Sequence, residues 1–189
     1  MSSPSLESWT ALKRIVRYLK GTKNVCLTFN DASDEILRGY CDSDWWSCPD
    51  TRRSHSAYCF MLGGGLVSYS RKKQICVADS TAETELIALA TCVKQAIYLR
   101  SILRFIGLSV EKPTVIHVDN RAAIIVGNNG ARTSKTKHIH LKYFLSLDAI
   151  SRGEVVLKWI PTNENPSDML TKDFSLGDFT TMYAGVRNH

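Results

Sequence analysis

Asp42 and Asp44 stand two residues apart in the run Arg38-Gly39-Tyr40-Cys41-Asp42-Ser43-Asp44-Trp45-Trp46, just after the apolar pair Ile36-Leu37. In a strand, alternation turns Tyr40, Asp42 and Asp44 to one face. Either the strand end dips into solvent there, or the carboxylates share a task. A buried carboxylate is costly unless it is paired or binds a cation. Three further acids change the balance: Glu85, Asp119 and Asp168 each fall at a point where a different element could deliver them to the same place. Carboxylate oxygens are hard ligands of the kind Mg²⁺ takes. The whole chain carries a formal charge of +6. A basic chain that gathers acids suggests a polyanionic partner held near a metal.

The elements that would position these acids can be read in order. Ser3-Pro4 reads as a helix start, and Trp9, Leu12, Val16 and Leu19 recur at helical spacing as a packing face before Gly21. Val25 to Phe29 reads as a short strand, and residues 30–34 as a polar turn. Ala57 to Leu62 and Leu66 to Ser70 read as two strands joined by Gly63-Gly64-Gly65. That glycine run precedes a strand, so it is no phosphate cradle. Arg71-Lys72-Lys73 reads as a basic turn, with Ile75 to Ala78 continuing the sheet. Ser80 then caps a long helix that Gly107 ends. Leu86, Leu89, Val93 and Ala96 define its buried face, with Glu85 at the edge of that face and Glu83 well round the helix. Pro113 to Val118 is a β-branched run ending in Asp119-Asn120, and a carboxylate at a strand end is a common placement in α/β sites. A short helix (121–126), a basic loop (128–137), a helix from about His138 to Ser151, a strand from Val155 to Ile160 and a short helix bearing Asp168 complete the pattern.

The chain has 189 residues, enough for one ordinary domain with a covered core. Cys26, Cys41, Cys48, Cys59, Cys76 and Cys92 form no C-x-x-C pair and read as small buried hydrophobes in a reducing compartment. There is no signal peptide and no apolar run long enough to span a bilayer, so an intracellular, cytoplasmic or nuclear location without membrane contact is expected. His138 and His140 could be offered as a zinc pair, but residues two apart diverge on a helix and no matching ligands stand nearby.

The order of acids and elements resembles the ribonuclease H fold. More closely, the chain is similar to the ribonuclease H end of copia-type retrotransposon polyproteins. The stretches that carry the resemblance are Gly39-Tyr40-Cys41-Asp42-Ser43-Asp44-Trp45, Gly63 to Ser70, Lys72-Lys73-Gln74, Asp79 to Glu85, Val118-Asp119-Asn120, Thr136 to Ile139 and Asp168-Met169-Leu170-Thr171-Lys172. The segment Trp9 to Gly21, with the run Lys13 to Thr22, resembles the link between reverse transcriptase and that domain. The resemblance implies an α/β, ribonuclease H-like fold, with a mixed five-stranded sheet flanked by helices. It divides the chain into a connection-like segment at 1–30, the domain at 31–176 and a disordered tail at 177–189.

It also implies hydrolysis of the RNA strand of an RNA–DNA hybrid during reverse transcription, beside a reverse transcriptase domain of the same polyprotein. Asp42, Glu85, Asp119 and Asp168 match the family's acidic set, as catalytic residues and as ligands of two Mg²⁺ ions, with Mn²⁺ as a substitute. Periodicity does not separate Asp42 from Asp44; the resemblance selects Asp42 and leaves Asp44 a supporting role, holding Arg52 or Arg53. Asn120 is a candidate for the 2′-hydroxyl, and Arg71, Lys72, Lys73, Arg132, Lys135 and Lys137 for phosphates. Two departures stand out: the loop 161–166 lacks the mobile histidine of many ribonucleases H, and His140 and Phe144 stand where copia-type sequences often have Asp and His. The alternative is a domesticated, catalytically silent module that binds nucleic acid or protein. A DDE-type integrase is disfavoured, because its final acid is a glutamate, whereas here Glu85 comes second.

Overall fold

Five strands form a single mixed sheet in the order β3-β2-β1-β4-β5. They are β1 (Arg38–Asp44), β2 (His55–Leu62), β3 (Gly65–Lys73), β4 (Thr114–Val118) and β5 (Val155–Trp159). The first three are an antiparallel meander, while β4 and β5 run parallel to β1. The expected α/β fold with a mixed five-stranded sheet is therefore observed. This computed structural model describes residues 5–29, 36–48, 51–75, 77–78, 80–129 and 146–172. The tail at 177–189, Cys76, His138, His140 and Phe144 lie outside the described residues.

The hairpin between β2 and β3 turns on Gly63 and Gly64, both at positive φ (59° and 72°), the twist-matched geometry of a two-residue loop. β3 runs three residues further than its apolar pattern: Arg71, Lys72 and Lys73 pair with Ala57, Ser56 and His55, so they are strand residues and not a turn. Among the described residues, 75–78 add no strand, and neither do Val25 to Phe29. Val25, Leu27, Phe29, Ile75 and Val77 stay exposed, although Ala78 is buried, so the β-branched pattern finds no sheet face to cover.

Helix α2 (Thr81–Phe105) packs along one face of the sheet. Its Leu86, Leu89, Cys92, Val93, Ala96 and Leu103 meet Cys41, Phe60, Ile116, Val118 and Val155 in the main core. Ala123 of α3 (Arg121–Asn129) and Ala149 of a helical stretch at residues 146–151, α4, close that layer. Ser80 caps α2 by accepting a hydrogen bond from the Glu83 amide. Gly107, at φ 84°, ends it: its amide reaches Arg104 O while the Leu108 amide reaches Leu103 O. That is the Schellman pattern. By length and composition α2 could cross a membrane, contrary to expectation, but half of its apolar window is buried here as the core helix. The opposite face holds a smaller cluster of Tyr40, Cys59 and Met61, joined by Leu66, Ile160 and Leu170.

Helix α1 (Leu6–Thr22) is capped by Ser5, whose hydroxyl accepts from the Ser8 amide; Ser3 and Pro4 lie outside the described residues. None of its residues is buried, so Trp9, Leu12, Val16 and Leu19 form no packing face among the described residues. The segment after it does touch the domain: the Phe29 ring lies against Gly65, in the space a Cβ there would need.

Candidate active site

The parallel register of β1 and β4 pairs Cys41 with Val118. The next residue of each strand is therefore an acid, and Asp42 and Asp119 stand side by side at the same sheet end. Alternation puts Cys41 in the main core and turns Asp42 to the Tyr40 face. Glu85 arrives from the α2 side, in the second turn after the Ser80 cap. Asp168 arrives from the other side, as the first residue of the short helix α5 (Asp168–Thr171), whose Leu170 packs on the second cluster.

Asp42, Glu85 and Asp119 present oxygens within 4.8 Å of one another. Asp168 lies outside that threesome but against Asp42, with which it interacts directly. Asp42, Glu85 and Asp168 are all buried, at 2%, 7% and 3% exposure, which is where like charges repel most strongly. Desolvation, then the Asp168 charge, pushes Asp42 up to about 7. Desolvation, then the Asp42 charge, pushes Glu85 up to about 9. Burial also raises Asp168, and Lys172 opposes the rise.

A network holds this arrangement. The loop before α5 is stitched to β1 by Asn165, fully buried, whose amide donates to Cys41 O at 3.1 Å and accepts from the Ser167 hydroxyl at 2.6 Å. Thr171 donates its hydroxyl to Asp42. Lys172 Nζ pairs with Asp168 Oδ2 at 2.5 Å. Thr162 donates to Asp119 Oδ2 at 2.9 Å, and Trp159 Nε1 to Asp119 O at 3.1 Å. Ser43 bonds Glu85 and also donates to Thr84, whose carbonyl accepts from the buried Gln74 amide. The resemblance assigned no role to Thr171, Lys172 or Asn165, although the first two lie in its last motif. The Asn-Pro-Ser run of 165–167 was a legible turn signal.

Glu85 Oε2 and Asp168 Oδ1 are buried and have no hydrogen-bond partner among the described residues. Orphaned acceptors on hard carboxylates fit a divalent cation of the Mg²⁺ type and do not fit a soft metal.

The remaining candidates fall elsewhere. Asp44 is half-buried and makes no ion pair with Arg52 or Arg53 among the described residues; Arg52 instead lies over the Trp46 ring at 5.6 Å. Asn120 Oδ1 accepts from the Ala123 amide at 3.1 Å and so caps α3. Arg71, Lys72 and Lys73 are exposed on the edge strand, with Lys73 Nζ 3.0 Å from Cys48 Sγ. Arg132, Lys135 and Lys137 lie outside the described residues. Of the five described cysteines four are buried; Cys26 is exposed, because the segment that carries it packs on no core.

No protein-family model matches the chain. It is 40% identical over 172 residues, 91% of its length, to the retrovirus-related Pol polyprotein of transposon TNT 1-94 from Nicotiana tabacum. It is 31% identical over 93% of its length to the corresponding polyprotein of transposon RE2 from Arabidopsis thaliana. It spans only 13% and 12% of those two relatives. Among solved structures it resembles the N-terminal ribonuclease H domain of a Mycobacterium tuberculosis protein, with a TM-score of 0.51 and 12% identity over 80% of this chain and 98% of that one. The ribonuclease H1 called LC11, solved in complex with an RNA/DNA hybrid, matches with a TM-score of 0.50 and 14% identity over 71% of this chain and 92% of that one. The chain is thus similar, over most of its length, to one segment of copia-type retrotransposon Pol polyproteins, and it has the ribonuclease H fold.

Proposed function

We propose that the chain is a metal-dependent ribonuclease H that hydrolyses the RNA strand of an RNA–DNA hybrid. The observation that supports this most is the convergence of four carboxylates from four separate elements, with two buried oxygens left unpartnered. Among the described residues no hydrogen bond reaches either of those two oxygens, whereas a hard cation could. Asp42, the shared neighbour, would hold both metal ions, Glu85 and Asp119 the one beside the leaving 3′-oxygen, and Asp168 the one beside the attacking water. Bound there, Mg²⁺ would supply Lewis acidity toward the phosphate and a more acidic water.

The protein's own part is positioning. Thr162 and the Trp159 indole fix Asp119, and Ser43 fixes Glu85. With Oδ1 committed to the α3 cap, Asn120 would meet a 2′-hydroxyl through its NH₂ group. Arg71, Lys72 and Lys73 would meet phosphates from the exposed edge strand, with Arg132, Lys135 and Lys137 as further candidates. In the same reading residues 31–176 are the nuclease domain and residues 1–30 connect it to a reverse transcriptase of a longer polyprotein.

The test is the isolated chain on end-labelled hybrid, double-stranded RNA and double-stranded DNA, with and without Mg²⁺. Cleavage of the RNA strand of the hybrid alone, and only with the metal, is expected. Tight hybrid binding without cleavage would favour a silent binding module.

A further inference from the structure

α5 ends at Thr171, and the next side chain turns back on the helix it closes. The Lys172 amide bonds Asp168 O at 2.9 Å, and Lys172 Nζ lies 2.5 Å from Asp168 Oδ2. The two partners differ in environment: the Asp168 side chain is 4% exposed, the Lys172 side chain 41%. The cation therefore enters a buried anionic cluster from a solvated stem. A lysine ammonium is a compact point charge on a flexible chain, so it can leave by the way it came. Its charge also acts on Asp42, the acid that the other three surround. The same carboxylate keeps its other oxygen, Oδ1, buried and without a partner.

We propose that Lys172 is a built-in counter-ion of the carboxylate cluster, competing with a divalent cation for Asp168 and so setting the Mg²⁺ concentration at which the site fills. This rests on the reading of the four acids as a metal site. Without a divalent ion, the ammonium offsets the repulsion among Asp42, Glu85, Asp119 and Asp168. With one bound, ammonium and metal would repel across a single carboxylate, and the lysine swings to solvent. The lysine is thus a positioning residue, and its contribution differs in sign between the two states. A merely structural residue would stabilise both states alike.

The experiment is calorimetric titration of Mg²⁺, with melting temperature followed against Mg²⁺, for wild type, Lys172→Met, Lys172→Gln and Lys172→Arg; Asp42→Asn is the control that marks the site. Lys172→Met and Lys172→Gln are expected to melt lower than wild type in chelator and to close that gap at saturating Mg²⁺. They should fill at roughly 3–10-fold lower Mg²⁺. Lys172→Gln keeps a neutral donor, so it reports on charge even if the Met variant folds poorly. Lys172→Arg should stay near wild type. Neutral variants that fill at equal or higher Mg²⁺, while Asp42→Asn abolishes filling, would overturn the inference and leave the metal site intact. A wild-type chain with no Asp42-dependent Mg²⁺ binding would overturn both.

Discussion

Asp119 is the most exposed of the four acids, yet its charge raises Asp42, Glu85 and Asp168 alike. Asp119→Asn removes that charge and keeps an oxygen for Thr162. Hybrid cleavage is expected to fall by roughly 100-fold or more, the scale on which loss of one charge-stabilising group acts. The melting temperature without metal should hold or rise, because a source of repulsion is gone. Cleavage assays and melting curves on the same preparation check both halves. The raised acids also give the metal-free protein a pH signature. The ordinary values for Asp42 and Glu85 are 3.8 and 4.5, and folding lifts them to about 7 and about 9. In that window the folded state binds more protons than the unfolded chain, so stability falls as pH rises. The contribution is whole below the ordinary values and is lost through about pH 7 and on toward about pH 9. In chelator the melting temperature should therefore drop across this range, and excess Mg²⁺ should flatten the slope. A metal-free melting temperature that rises with pH would contradict the reading.

β1 is the element on which the site depends, since it lies at the centre of the sheet and carries Asp42. Gly39 lets it sit close to β2: a Cβ there would stand 2.7 Å from Cε1 of its cross-strand partner Phe60, which is fully buried. The ring has nowhere to retreat, so Gly39→Ala is expected to cost about 1–3 kcal/mol, measurable by urea denaturation. A neutral effect would mean that the core around Phe60 is looser than its burial implies. Much of this was readable beforehand. Period-two alternation located β1, the glycine hairpin located β2 and β3, and a serine cap with an apolar stripe placed Glu85 at the sheet. Two misread stretches share one physical cause. Trp9 to Leu19 stays exposed, and Val25 to Phe29 touches the domain at Gly65 without joining the sheet; periodicity reports a face without reporting whether a partner exists. Asn165, Thr171 and Lys172 were hidden for a different reason. Their roles come from contacts across more than a hundred residues of sequence for Asn165 and Thr171, and from a helix only four residues long for Lys172. The Asp44 pairing failed because Trp46 captures Arg52 first.

At the scale of the whole molecule, the site closes only when both chain halves are in place, because β1, α2, the residue after β4 and α5 each contribute one acid. Helix α1 stands apart from this assembly with no buried residue. Removing residues 1–22 while keeping the Phe29 contact at Gly65 should therefore shift stability by less than about 0.5 kcal/mol, as for other surface changes. Calorimetry of the shortened chain checks this; a large loss of melting temperature would show α1 to be part of the domain. The most direct measurement of the whole reading compares wild type, Asp42→Asn and Asp44→Asn for cleavage of an end-labelled RNA–DNA hybrid across a Mg²⁺ series. Asp42 is buried among the acids and Asp44 is half-buried beyond them, so one substitution should act on the chemistry and the other should not. Wild type should cut the RNA strand in a Mg²⁺-dependent manner, Asp42→Asn should stay inert at every Mg²⁺ concentration, and Asp44→Asn should retain much of the activity. A wild-type chain inert on hybrid at all Mg²⁺ concentrations, or an active Asp42→Asn, would contradict it.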